Sequence, residues 1–121
     1  DGVKLDLTPL ENLAMARALG MPNEITLEDA LEKVDLAGFE DVLTRNLSAG
    51  QQRRLALARL LVTDTSLWIL DEPFTSLDVH GISVIEELLD AHTTAGGMIA
   101  VTSHHAVNLQ NTTVQRINLS T

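Results

Sequence analysis

The sequence predicts an α/β protein, a parallel sheet with helices packed against it, preceded by a helical segment. Three observations predict it. Residues 67–70 and 98–102 are continuous apolar runs of the kind that form buried parallel strands. Residues 79–95 lie between them with helical periodicity, closed by Gly96 and Gly97. Acids and histidines gather just past the two runs, at the carboxyl ends of strands where such sheets bind ligands.

The first part of the chain carries helix punctuation. Thr8 is a suitable N-cap, Pro9 takes the first helical position, and Glu11 completes a capping box. Leu10, Leu13, Met15, Ala16 and Leu19 can line one side, and Gly20 ends the helix. Residues 21–23 form a turn. Thr26 then caps a second helix, with Glu28 and Asp29 in the first turn, where the dipole favours acids. Leu27, Ala30, Leu31 and Val34 supply its apolar stripe. A third short segment spans about 38–43. Residues 48–62 read as a helix with Leu55, Ala58, Leu61 and Val62 at helical spacing. Residues 114–119 read as a third, shorter strand.

A chain of 121 residues is one domain, and a fold of this size buries roughly 65% of its unfolded surface. Aromatics are limited to Trp68, Phe39 and Phe74, so the core rests on Leu, Ile, Val and Ala. A net charge of −9 repels a phosphate backbone and argues against nucleic acid as a partner. The absence of cysteine excludes disulfides and thiolate chemistry. No apolar run reaches the ~18 residues of a membrane helix. The chain opens on Asp1-Gly2-Val3 without a methionine, and the expectation is that it was cut from something longer.

Three sites carry possible chemistry. The run 67–70 delivers Asp71 and Glu72 to a sheet edge. Asp71 can hold Mg²⁺, and Glu72 can polarise an attacking water. A strand ending in a solvated acidic turn reads the same way. Leu47, Ser48, Ala49, Gly50 and Gln51 open a helix whose free N–H groups suit phosphate, and Gly50 permits close approach. A plain serine cap is the alternative. Ser103, His104 and His105 follow the second run. His104 could bind a phosphate oxygen, or it could be merely exposed. No third ligand sits at metal spacing with this pair.

Taken in order, these motifs resemble the nucleotide-binding subunits of ABC transporters. Residues 47–51 match the signature motif, 67–72 match Walker B with the catalytic glutamate, 76–78 match the D-loop, and His104 matches the switch histidine. The likeness covers essentially the whole chain. It implies a P-loop NTPase fold in two parts. Residues 1–47 would form part of the α-helical subdomain. Residues 48–121 would supply the signature helix and the C-terminal half of a RecA-like core. Residues 3–13, 67–78 (with Trp68 and Phe74) and the ending after residue 119 also resemble the ATP-binding subunit of bacterial haem exporters used in cytochrome c maturation.

The resemblance implies ATP and Mg²⁺ as cofactors, bound between two subunits arranged head to tail. Asp71 would hold the metal, Glu72 would activate water, and His104 would sense the γ-phosphate. Leu47, Ser48, Ala49, Gly50 and Gln51 would bind the nucleotide across the dimer together with Ser76 and Asp78 of the D-loop, and Asp78 would link the two sites. The helical part would dock on integral membrane partners at the cytoplasmic face of the bacterial inner membrane. The sequence departs from the family's full pattern: the adenine-stacking aromatic and the Q-loop glutamine that the resemblance implies are not among these residues, nor is the phosphate-binding loop. It contains no Gly-Lys dipeptide, so the Walker A loop is missing from these residues. The chain alone is therefore expected neither to bind ATP tightly nor to hydrolyse it. A non-catalytic interaction module of the same fold, or the ATPase of another exporter, remains the alternative.

Overall fold

A computed structural model describes residues 2–102. Their element order is α1 (Pro9–Leu19), α2 (Leu27–Lys33), a 3-10 turn (Thr44–Asn46), α3 (Ala49–Leu61), β1 (Leu67–Asp71), α4 (Val79–Thr94) and β2 (Met98–Thr102). The expected strand at 114–119 lies outside the described residues.

The helix starts follow from their caps. Thr8 accepts from the Glu11 N–H while the Glu11 carboxylate accepts from the Thr8 N–H, so the capping box is closed. Thr26 caps α2 through the Asp29 N–H at 3.0 Å. Gly20 ends α1 in an extended conformation rather than a left-handed one. Its lack of a side chain serves packing, because a Cβ there would meet Thr63 Cγ2 at 2.8 Å. The segment 38–43 is not helical. It is a run of turns, with Phe39 N–H donating to the Leu36 carbonyl and Val42 N–H to that of Phe39.

The apolar stripe of α2 is buried through Ala30, Leu31 and Val34. Of the apolar stripe expected on α1, only Leu13 is fully buried, while Met15 and Leu19 are exposed. The side of α1 that packs against α2 and α3 carries Pro9, Asn12 and Leu13, and Met15 and Leu19 fall off it. Leu55, Leu57, Ala58 and Val62 carry α3 into the core. A single apolar cluster joins Leu13, Leu31 and Leu55 to Trp68, Ile85 and Leu89. The helices and the sheet thus share one core, which fixes the sheet edge relative to the N-terminus of α3.

β1 and β2 are parallel and in register from Leu67↔Met98 to Asp71↔Thr102, with α4 as the crossover. The sheet differs from the expected fully buried one. Trp68 is buried, and Leu70 and Ile99 pack on the core, but Leu67, Ile69 and Met98 are 42%, 76% and 62% exposed. Alternation along a strand sends successive side chains to opposite faces, and the described elements cover only one of them.

Candidate functional site

The N-terminus of α3 is built by residues that cap one another. Leu47 is buried and anchors the turn. The Ser48 hydroxyl accepts from the Gln51 N–H at 3.1 Å, and the Gln51 side-chain oxygen accepts from the Ser48 N–H at 2.8 Å. This capping box aims the remaining N–H groups of the first turn, at Ala49 and Gly50, along the helix axis. The Ser48 hydroxyl keeps its own proton to donate outward.

The carboxylates sit where β1 ends. Asp71 pairs with Thr102 across the sheet, and Thr102 Oγ1 donates to Asp71 Oδ1 at 2.5 Å. The Glu72 N–H donates to the Thr102 carbonyl at 2.8 Å, which fixes the chain as it leaves the sheet. Glu72 itself has φ 47, a left-handed conformation that a residue with a side chain holds only when its surroundings impose it. Pro73 and Phe74 are buried behind it. Ser76 is again left-handed, with φ 70. Asp78 then caps α4, its Oδ1 accepting from the Gly81 N–H at 2.7 Å.

The two groups meet. A Cβ on Gly50 would lie 2.9 Å from the Ser76 carbonyl oxygen, so the bare backbone of Gly50 is what lets the α3 turn touch the turn after β1. The structure therefore brings Gly50, in the turn formed by Leu47, Ser48, Ala49 and Gln51, against Ser76 in the turn that follows Asp71 and Glu72 and leads to Asp78. His104 lies outside the described residues. The donor set at the strand ends consists of hard oxygens from Asp71, Glu72 and Thr102, which fit a Mg²⁺ completed by water and phosphate. Among the described residues no cluster of three or more acidic, His or Cys side chains forms an all-protein metal cage.

Sequence reasoning missed the supports. Asn12 is buried and donates through Nδ2 to the carbonyls of Lys4 and Thr8 and to Thr44 Oγ1, while its Oδ1 accepts from the Lys4 N–H. Gln52, one residue past the motif, donates to the Thr44 carbonyl at 3.0 Å. Arg54 donates to the Val34 and Asp35 carbonyls, fastening the end of α2 to α3. A polar residue such as Asn12, interrupting the apolar side of a helix, was the one available signal.

A capped helix N-terminus packed on the turn after an acidic strand end, on a parallel βαβ unit, is the arrangement expected of an ATP-binding cassette. Residues 2–75 match the ABC transporter family, and the chain belongs to it. The chain is 52% identical over 121 residues to the cytochrome c biogenesis ATP-binding export protein CcmA of Methylococcus capsulatus, covering 98% of this chain and 58% of that protein. It is 44% identical to CcmA of Escherichia coli strain K12, covering 98% of this chain and 56% of that protein. The chain thus spans a little over half the length of these curated relatives. Among solved structures, the ATP-binding cassette MJ0796, a post-hydrolysis dimer bound to ADP and phosphate, superposes with a TM-score of 0.75 at 25% identity. That match covers 85% of this chain and 48% of the other. The ADP form of the cassette MJ1267 shares the fold, with a TM-score of 0.63 at 21% identity, over 84% of this chain and 46% of that one.

Proposed function

We propose that these residues supply the metal, water-activating and trans-acting portions of an ATP-hydrolysing ABC subunit. The observation that carries this reading is the contact of Gly50 with Ser76. It joins the signature turn and the D-loop beside a strand ending in Asp71 and Glu72. In this reading Asp71 would hold Mg²⁺, which when bound would supply charge to neutralise the phosphates. Glu72, held by its strained backbone, orients the attacking water and takes its proton. The N–H groups of the α3 turn and the Ser48 hydroxyl face the γ-phosphate of a nucleotide bound to a second subunit, head to tail. Ser76 and Asp78 connect the two sites, and His104 contacts the γ-phosphate. The phosphate cradle comes from polypeptide other than these residues, because the sequence has no Gly-Lys pair.

The likeness to CcmA proteins supports a narrower assignment, the ATP-binding subunit of a haem exporter serving cytochrome c biogenesis. Residues 1–47 then act as part of the helical subdomain that docks on integral membrane subunits, and residues 48–121 as part of the nucleotide-binding core. The subunit would lie peripherally at the cytoplasmic face of the bacterial inner membrane. No described helix is long and apolar enough to cross a membrane, and this fits a peripheral role. Glu72→Gln removes the base and keeps the shape. In the full-length subunit it should lower ATP turnover by about 100-fold or more while leaving ATP affinity in place. Equal turnover in mutant and parent would refute the assignment.

A further inference from the structure

We propose that Asp35 and His80 form a latch that holds the signature turn against the D-loop. Asp35 follows α2 and has φ 62, the third left-handed non-glycine residue among those described, after Glu72 and Ser76. The left-handed backbone turns the Asp35 carboxylate back over two other elements. Its Oδ2 lies 3.0 Å from His80 Nε2, in the first turn of α4 and two residues beyond Asp78. The same oxygen lies 3.8 Å from Arg54 Nη1 on α3. Arg54 also donates to the carbonyls of Val34 at 2.7 Å and Asp35 at 3.1 Å, and its side chain is only 14% exposed.

The consequence follows from position. Asp35 belongs to the helical part, Arg54 to the helix that the signature motif opens, and His80 to the helix that the D-loop opens. Fastening all three sets the angle between the N-termini of α3 and α4. Gly50 and Ser76 touch at those two N-termini with no room for a methyl group. An exposed ion pair is worth little to stability by itself. A pair at this place instead selects one relative position of two motifs whose contact tolerates no error. Asp35 and His80 are therefore positioning residues, acting through the signature turn and the D-loop. Their effect on catalysis rests on the function proposed above.

The chain has no native cysteine, so Asn46→Cys and Val79→Cys, both at exposed positions, provide a clean spin-label pair across the contact. Asp35→Gly is the informative variant, because glycine accepts the left-handed backbone while deleting the carboxylate. The labelled parent chain should give one narrow distance distribution. Asp35→Gly and His80→Ala should each broaden it, with melting temperatures within about 4 °C of the parent. In the full-length subunit both variants should lower kcat about threefold and leave KM for ATP unchanged. Unchanged distances in both variants, a broad distribution in the parent, or a rise in KM without loss of kcat would overturn the latch. The distance measurement needs no nucleotide, so its outcome is independent of whether the subunit hydrolyses ATP.

Discussion

Glu72 and Ser76 spend backbone energy to face their carboxylate and carbonyl in fixed directions, and left-handed non-glycine residues of this kind concentrate at working sites. Their positions rest on quieter residues. Asn12→Leu would leave Thr44 Oγ1 and the Lys4 backbone without their buried partner, at a cost of about 2–3 kcal/mol, measurable by urea denaturation. Glu40 gives a pH signature. The Gly38 N–H donates to its carboxylate, with a further contribution from its own backbone N–H, and lowers its pKa from the ordinary value. A lowered folded value means that the stabilisation is present at neutral pH and is lost as acid titrates the group through that value. Glu40→Gln should therefore lower the melting temperature slightly at pH 7, and the difference should shrink as the pH falls through the lowered folded value. Ser48 and Thr8 were legible as caps because their partners lie three residues away. Asn12 was not, because its partner Thr44 lies 32 residues along the chain and only the folded core brings them together.

At the scale of elements, among the described residues, spacing located β1, β2 and α1 to α4 to within a residue or two, since apolar periodicity and caps are local. What spacing missed was which sides are covered. Met15 and Leu19 obey the helical pattern yet stay outside, and the β1 run looks uniformly buried although Ile69 is open. Burial depends on the neighbours that arrive, and a strand's own residues do not encode them. The strand starts show a second dependence of this kind. The His92 ring stacks on Trp68 with centroids 3.8 Å apart, and its Nε2 donates to the Ser66 carbonyl at 2.9 Å. Gly97 leaves the space that the ring fills, and any Cβ there would collide with it. Gly97→Ala should push His92 off Trp68 and cost about 1–3 kcal/mol. Trp68 is the sole tryptophan, so a change in its emission reports the displacement directly, and unchanged emission would contradict this packing.

For the whole molecule, one core joins the helical part to the sheet, so the signature turn and the acidic strand end form a connected surface. The ordered motifs made the family legible from sequence, because signature, acidic strand end and D-loop recur at fixed order around one crossover helix. The contact of Gly50 with Ser76 was not legible, since glycine in a signature turn reads first as room for a ligand. In the proposed function this surface would position groups for phosphoryl transfer, and positioning needs a clamped phosphate to act on. Titrating the 121-residue chain with Mg-ATP in a calorimeter tests this division of labour most directly. The account predicts no saturable heat at micromolar nucleotide, and micromolar affinity would contradict it.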